Sequence, residues 1–367
     1  MNNEALFLIK WVIKNQFNQE LNNKLLKLLE NNNNNEITQT QNINLIDLRS
    51  SEEFSQSHFP HSTNIPYTEF LERIYELPPR SSNLAIYYND NDKNIQISQI
   101  SDSLKNYNFI IFKQSSLLYQ FSHNNSNNLL EELQCESGIE KSIILWKACK
   151  YLEESIDFIE NSLFLKYKTT TTSEIEEKKK IQLLNAIDIA CGSGRDCLYL
   201  LNRKNQVRWN IYGVDNDEIL LNKMILAANR LVTDSQSTIH SLLLDLEAFN
   251  PDDFNDKEPN IQQLEHLDKI KQLLLLKEPN GFDLVHVARY LYRPLFRVLT
   301  DIIRKNGFIL YHTFMEPSHG KPKRKRFLLK VNELKQIFTE PIFKVIHYHE
   351  TFLDDGRPIQ VILAQKL

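Results

Sequence analysis

Two glycines in the second half of the chain have the spacing of a small-molecule binding turn. The stretch NAIDIACGSGRDCLYLL, residues 185–201, places Gly192 and Gly194 close together in a chain that holds only 8 glycines in 367 residues. The apolar residues 186–190 predict a buried parallel strand, and the residues after the glycines predict an amphipathic helix. A helix that begins after a glycine turn offers unpaired N–H groups to a ligand, and glycine lets that ligand approach the backbone. The stretch therefore predicts a cofactor-binding turn.

The acid before this turn indicates which ligand the turn binds. Asp188 lies in the predicted strand, and Cys197 stands where a dinucleotide-binding fingerprint has its third glycine. A carboxylate at this place would repel a pyrophosphate, so the sequence disfavours an NAD-dependent oxidoreductase. The same carboxylate would attract an ammonium group, such as the one that S-adenosylmethionine carries beside its sulfonium. Because glycine turns occur in many doubly wound domains, the turn alone does not exclude another ligand.

Two further acids follow the next predicted strands. Asp215 ends the segment WNIYGVD, where a carboxylate can accept hydrogen bonds from both ribose hydroxyls. Asp245 ends the predicted third strand HSLLLD and can accept from an adenine amino group, while Leu246 offers a backbone donor. The alternative is that either acid caps the helix that follows it.

These residues resemble a known family. The pattern Asp188-x-Ala190-x-Gly192-x-Gly194 is similar to the D/E-x-G-x-G-x-G motif of class I methyltransferases, with alanine at the first glycine. The later segments FDLVHVARYLYRPLFRVL, GFILYHTF and GKPKRKRFLLKVNELKQIF resemble the tellurite-resistance-type subfamily. The resemblance runs from about residue 183 to 367. It implies a Rossmann-like class I methyltransferase fold, S-adenosyl-L-methionine as cofactor, and cofactor contacts by Asp188, Ala190, Gly192, Gly194, Asp215, Asp245 and Leu246.

Substrate should lie at the carboxyl ends of the strands, after the fourth and fifth of them. His286 lies inside the apolar fourth strand and is interpreted as a core histidine without a role. An arginine pair can clamp an anion, but the same arginines with Pro294 also suit a solvated helix start. The candidate substrate-binding residues are Arg289, Tyr290, Arg293 and Thr313, the last within the lining segment 312–314.

The first half of the chain resembles a different family. Asp47 and Arg49 match the D-x-R of a rhodanese domain after the strand INLID, and HFPHSTNIP matches its H-I-P-G-A-x-N-I-P. A rhodanese carries sulfur on a cysteine after the strand that corresponds to LAIYY. Here Tyr88 stands at that position, and no cysteine precedes Cys135. The resemblance implies a small α/β domain, and the missing thiol predicts packing or recruitment of a protein partner instead of sulfur transfer.

Low-complexity segments divide the chain. Asparagine-rich tracts at 30–42 and 122–130 and the threonine-rich segment 166–180 cannot bury enough apolar surface to order themselves. The leucine-rich segment 255–281 predicts a surface helix between the third and fourth strands. The predicted layout is a helical arm and linker at 1–41, a rhodanese-like domain at 42–122, a helical connector and linker at 123–180, and a methyltransferase domain at 181–367.

Composition narrows the class of protein. With 41% hydrophobic residues, 25% charged residues and a formal net charge of -4, the chain is typical of a globular protein and not of a nucleic-acid coat. Four cysteines without a CxxC pair favour a reducing compartment, so we expect a cytoplasmic protein. No apolar run predicts a membrane span, and the charged N-terminus predicts an amphipathic helix and not a signal peptide. The histidines and cysteines do not predict a metal site.

The sequence thus predicts an S-adenosylmethionine-dependent methyltransferase of unidentified acceptor. Small thiols, metalloid oxyanions, other metabolites and RNA all remain open as acceptors, and a small molecule is favoured over nucleic acid. The basic segment KPKRKR, residues 321–326, suits nuclear import, RNA contact or the edge of an active-site lid. The alternative function is a non-catalytic cofactor-binding or scaffold protein.

Overall fold

The protein divides into two compact units, Met1–Lys147 and Ala148–Leu367. The division lies inside the segment 123–180, which the sequence analysis assigns to a connector. The predicted N-terminal arm, both asparagine-rich tracts and much of the threonine-rich segment lie outside the described residues. The structure is a computed structural model that describes residues 43–80, 82–114, 135–170, 182–203, 205, 207–231, 236–247, 261–318, 320–353 and 355–367.

Unit 1 contains a four-stranded parallel sheet with the strand order β2-β1-β3-β4. Parallel neighbours need crossover connections, and short helices supply them. The buried side chains of Ile46, Ile86 and Phe70 belong to its core. The elements are β1 Ile43–Asp47, α1 Ser51–Gln56, β2 Ser62–Asn64, α2 Tyr67–Phe70, β3 Asn83–Tyr88, α3 Ile97–Ser103 and β4 Asn108–Lys113.

The predicted D-x-R motif builds the junction between β1 and α1. The buried carboxylate of Asp47 accepts hydrogen bonds from Arg49 Nε at 3.0 Å and from Nη2 at 2.6 Å. Ser50 caps the helix that follows, because its hydroxyl accepts from the backbone of Glu53 while the Glu53 carboxylate accepts from the Ser50 N–H. The motif therefore has a structural role in positioning this helix.

Unit 2 contains a seven-stranded sheet with the strand order β10-β11-β9-β8-β5-β6-β7. Among the described strands, β11 pairs antiparallel with β9 and β10, and the other neighbouring pairs are parallel. The strands are β5 Gln182–Ile189, β6 Val207–Asp215, β7 Thr238–Leu243, β8 Phe282–Ala288, β9 Ile303–Phe314, β10 Phe343–Phe352 and β11 Pro358–Lys366. The helices are α4 Lys150–Thr170, α5 Arg195–Leu201, α6 Glu218–Leu231, α7 Ile261–Lys277, α8 Phe296–Ile302 and α9 Glu333–Ile337.

The two faces of this sheet differ in chemistry. On one face, Ile187, Val285 and Tyr311 are buried in an apolar core together with residues of α7 and α8. On the opposite face, α5 packs against β6 and α4 against β9. Because side chains alternate along a strand, Asp188, His286 and His312 lie on this second face. Three buried titratable groups, Asp188, His286 and His312, therefore lie on the face that α4 and α5 cover.

The third predicted strand ends earlier than expected. We expected it to reach Asp245, but β7 ends at Leu243. The N–H of Leu244 donates to the carbonyl of Asp215 at 3.0 Å, and the chain then turns, with the Glu247 N–H bound to the Asp245 carboxylate. The leucine-rich segment forms a helix as predicted, in its described part, and α7 buries Leu267 and Leu274 against the sheet.

The strand order creates a crevice at the end of β5. The chain builds outward from β5 through β6 to β7, and then returns to the other side of β5 to build β8 and β9. In doubly wound sheets, ligands bind outside the carboxyl ends of the strands at such a reversal. The predicted glycine turn follows β5 and therefore lies at this crevice.

Candidate functional site

The turn after β5 has three residues in the left-handed region. The φ angles are +58° at Ala190, +56° at Gly192 and +71° at Gly194. Alanine tolerates this conformation at a cost of about 1 kcal/mol, which explains why related motifs have glycine at the first position. The turn presents the start of α5, whose first residue is Arg195.

The two glycines have different surroundings. A Cβ added to Gly192 would meet no atom within 4 Å, so the space beside this residue is open. A Cβ added to Gly194 would lie within 2.4 Å of the sulfur of Met224 on α6. Gly194 is therefore needed for packing between the turn and α6, whereas the space at Gly192 is available to a ligand.

Asp215 binds the turn directly. The Gly192 N–H donates to Asp215 Oδ2 at 2.8 Å, and the Asp217 N–H donates to Oδ1 at 3.0 Å. A carboxylate has lone pairs for about four hydrogen bonds, so these two contacts leave capacity for ligand hydroxyls. Asp245 is exposed after β7, and the neighbouring Leu246 is buried. The structure thus brings Asp215 to the glycine turn and leaves Asp245 at the outer strand of the same edge.

Asp188 is less accessible than the sequence analysis expected. Its residue is only 4% exposed, and the thiol of Cys197 donates to its Oδ2 at 3.4 Å. Burial raises the pKa of this carboxyl to about 7, and the charge of His286 opposes the rise. The carboxylates of Asp196 and Asp215 also raise it. A cationic ligand beside the turn would reverse this effect by stabilising the ionised form.

A buried ion pair lies next to Asp188. Asp196, in the first turn of α5, accepts from Nε2 of His286 at 2.9 Å and from the backbone N–H of Cys149 at 2.6 Å. Burial alone would lower the pKa of His286, but its hydrogen bond to Asp196 and the charge of that carboxylate raise it above the usual value. The interpretation of His286 as a histidine without a role is therefore incomplete, because it holds the residue that anchors the segment before α4.

Cys149 and His312 meet on the other side of Asp196. The sulfur of Cys149 lies 3.5 Å from Nδ1 of His312, and the ring of Tyr151 packs against His312 at 5.2 Å. Sequence reasoning named His312 within a lining segment but missed Cys149 and Asp196. The available signal for Asp196 was its place in the first helical turn after the glycines. For Cys149 we find no local signal, because its partners are distant in sequence.

The predicted substrate residues separate in the structure. Arg289 is exposed, has a φ of +58°, and its N–H donates to the carbonyl of His312 at 2.8 Å. Tyr290 is half-buried, and burial followed by the charge of Glu247 raises its pKa well above the usual value. Thr313 is 1% exposed and lies within the sheet opposite Gln360.

The guanidinium of Arg293, which is partly exposed, is bound to other groups of the protein. Its Nε donates to Glu333 Oε1 at 2.6 Å, and its Nη1 and Nη2 donate to the carbonyls of Arg326 at 2.9 Å and Leu328 at 2.7 Å. These contacts tie the segment after β8 to the residues before α9. The geometry favours a structural role for Arg293 and distinguishes it from Arg289, which lies at the crevice.

The corresponding edge of unit 1 has no thiol at the end of its central strands. β3 ends at Tyr88, and the Nδ2 of the next residue, Asn89, donates to Glu53 at 2.8 Å. Within the described part of the chain, the cysteines are free and the first of them is Cys135. The loop after β3 is therefore held by amide and carboxylate contacts to α1.

A family model described as the rhodanese-like domain matches residues 22–115. Unit 1 therefore contains a rhodanese-like domain, as the sequence predicted. An uncharacterized protein of Schizosaccharomyces pombe, UNK4.09, is 23% identical over 342 residues, which cover 89% of this chain and 94% of that protein.

Solved structures of methyltransferases match part of the chain. A magnesium protoporphyrin IX methyltransferase from Synechocystis PCC 6803 with bound SAH is 10% identical, covers 60% of this chain and 89% of its own, and has a TM-score of 0.34. The N-methyltransferase NodS from Bradyrhizobium japonicum WM9 is 12% identical, with coverages of 58% and 96% and a TM-score of 0.34. The strand order of unit 2, with its reversal at β5, is that of a doubly wound, Rossmann-like α/β fold.

No group of three or more histidine, cysteine, aspartate or glutamate side chains in the described part of the chain has the arrangement of a metal site. Among the helices that the structure describes, none is long and apolar enough to cross a membrane.

Proposed function

We propose that unit 2 is an S-adenosylmethionine-dependent methyltransferase of the tellurite-resistance-type subfamily, with a small molecule as the methyl acceptor. The observation that carries this proposal is the left-handed turn at the strand reversal, with open space beside Gly192 and the Asp215 carboxylate bound to it. Asp215 suits ribose hydroxyls, and the N–H groups at the start of α5 suit a carboxylate.

The charges near the turn favour a cationic ligand. The charges of Asp196 and Asp215 both raise the pKa of Asp188. Three carboxyl groups near one turn oppose a pyrophosphate and favour an ammonium or a sulfonium. We propose that Asp188 faces the ammonium side of the cofactor, and that Asp245 and Leu246 lie on its adenine side.

The bound cofactor would supply a methyl group that is already activated on sulfur. The work of the protein is then to align an acceptor and to exclude water. Two parts of the chain are suited to this alignment because both are anchored at the crevice. The carbonyl of His312 fixes the peptide bond of Arg289, and Asp196 fixes the segment before α4.

Calorimetry and transfer assays separate the proposal from its alternative. We expect S-adenosylmethionine and S-adenosylhomocysteine to bind with micromolar affinity, and NADH to give no heat at tens of micromolar protein. The reverse pattern would refute the cofactor assignment. A screen of fractionated cell extract with methyl-labelled cofactor should then transfer label to an acceptor. Binding without any transfer would favour the non-catalytic alternative.

We also propose that unit 1 transfers no sulfur and recruits or packs against a protein partner. Tyr88 at the end of β3 is the observation that supports this. The free state of Cys135, Cys149, Cys191 and Cys197 supports action in the reducing cytoplasm.

A further inference from the structure

Three different chemical groups meet at the crevice beside the start of α5. Arg289 donates its backbone N–H to the carbonyl of His312 at 2.8 Å, and the sulfur of Cys149 lies 3.5 Å from His312 Nδ1. Asp196 holds the backbone of Cys149 from the α5 side at 2.6 Å. We call Cys149, His312 and Arg289 the Cys149 corner. The three residues come from the segment before α4, from β9 and from the end of β8.

Two members of the corner are uncharged at neutral pH. Burial, followed by the charge of Asp196, raises the pKa of the Cys149 thiol to about 12. Burial, followed by the charge of His286, lowers the pKa of His312 to about 3. A neutral thiol and a neutral imidazole therefore form the inner wall of the corner. Both can contact a nucleophile without a charge of their own.

Arg289 supplies the positive charge. Among the described residues, no carboxylate lies within salt-bridge distance of its guanidinium, and the residue is exposed. Its backbone N–H is bound to the carbonyl of His312, and its positive charge acts on Cys149 and His312 as well as on the carboxylate of Asp355. Arginine forks match the geometry of carboxylates and other oxyanions. The corner therefore combines two uncharged side chains with a guanidinium whose N–H donors are available to a ligand.

The backbone at this position is strained. Arg289 has a φ of +58°, a conformation that costs a residue with a side chain about 1 to 2 kcal/mol. The hydrogen bond to His312 holds the strained peptide in place. The strain turns the chain at the end of β8, beside the strand reversal where ligands bind.

We propose that the Cys149 corner binds the methyl acceptor, and that this acceptor is a small organic anion. Arg289 would bind its carboxylate or other oxyanion, while an uncharged nucleophilic atom would lie against Cys149 and His312. The carboxylates of Asp188 and Asp196 on the same side disfavour an anionic nucleophile there. The assignment as an acceptor site rests on the proposed methyltransferase function, whereas the anion subsite is a property of the corner itself.

Two alkylating reagents of nearly equal size test the anion subsite. Iodoacetate carries a carboxylate, and iodoacetamide carries none. In either case the Cys149 sulfur forms a bond to the reagent carbon, iodide leaves with the electrons of the carbon–iodine bond, and the thiol proton passes to the buffer. Peptide mass spectrometry gives the two rates at Cys149 and at Cys135, which is exposed in unit 1 and serves as the reference.

We expect the ratio of the iodoacetate rate to the iodoacetamide rate to be at least ten-fold higher at Cys149 than at Cys135. Arg289→Gln should reduce the ratio at Cys149 to the Cys135 value, and Arg289→Lys should retain most of it. Lys344→Gln, which removes one exposed positive charge at the start of β10, should leave it unchanged. Fluorescence of the buried Trp209 checks that each variant is folded.

Equal ratios at the two cysteines, or a ratio that survives Arg289→Gln, would overturn the anion subsite. Failure of Cys149 to react with either reagent would also overturn it, because the corner would then be closed to small molecules. The rates are measured without cofactor, so an absence of S-adenosylhomocysteine binding in calorimetry would refute the methyltransferase proposal alone. Normal cofactor binding with equal ratios would refute the acceptor corner alone.

Discussion

Replacing Asp188 with asparagine should stabilise the protein above neutral pH and weaken cofactor binding. Burial raises the pKa of this carboxyl from 3.8 to about 7. Between these two values the folded protein holds a proton that the unfolded chain has released. The free energy of unfolding must therefore decrease as the pH rises through this window, and it stops decreasing above the folded pKa. Asparagine carries no ionisable proton and keeps an oxygen for the Cys197 thiol, which donates at 3.4 Å.

The size of the change in stability follows from the pKa shift of Asp188. About three pKa units correspond to roughly 4 kcal/mol when the carboxyl is fully ionised. Between pH 5 and pH 8, the stability of Asp188→Asn relative to the unchanged protein should increase by about 2 to 3 kcal/mol. His286 and His312 titrate in both proteins, so their contributions largely cancel in this difference.

Urea denaturation at pH 5 and pH 8 measures the difference, followed by tryptophan fluorescence, to which Trp209 in unit 2 and Trp146 in unit 1 both contribute. Cys197→Ser is the matched control, because it keeps both the carboxyl and a donor and should follow the pH dependence of the unchanged protein. Calorimetry with S-adenosylhomocysteine at pH 8 should show a loss of about 1.5 to 3 kcal/mol in Asp188→Asn, the size of a charge-assisted contact. An equal loss of stability at both pH values would refute the reasoning.

Three further predictions concern the glycine turn, the Arg293–Glu333 ion pair and unit 1. Gly192→Ala should lower the free energy of unfolding by about 1 kcal/mol, because of its left-handed backbone, and should abolish most cofactor binding. Gly194→Ala should lower the free energy of unfolding by about 1 to 3 kcal/mol more, because its Cβ would overlap with α6. Equal stability losses of the two variants in urea would contradict this prediction. Arg293→Ala and Glu333→Gln should each lower the free energy of unfolding by about 1 to 3 kcal/mol. The double variant should lose little more, because both substitutions break the same ion pair, and additive losses would contradict this prediction. The full chain should form no thiocyanate from thiosulfate and cyanide above a heat-killed control, because Tyr88 stands in place of a thiol, and steady turnover would disprove that.

Local sequence patterns were sufficient for the main elements of unit 2. The run Ala186–Ile189 is apolar except for Asp188, and the glycines after it can adopt positive φ. Neighbouring residues are therefore sufficient to predict the strand, the turn and the helix. Asp215 was predictable for the same reason, since it ends the next strand. The rhodanese-like unit was predictable from Asp47 and Arg49, whose contact spans only two positions in sequence.

Only the tertiary structure decided which residues share the candidate site. The sequence shows that Cys149, Asp196, His286 and His312 exist, but their contacts depend on the order of strands β5, β8 and β9 and on where α4 begins. The same holds for Arg293, whose partner Glu333 lies 40 positions away. The periodicity of apolar residues predicts which face of a helix or strand is buried, because each side chain is buried or exposed according to its own position in the element. A hydrogen bond between distant elements depends on two positions in space. The contact with Asp196 raises the pKa of His286, whereas burial and the charge of His286 lower the pKa of His312, although both are buried histidines on one face of the sheet.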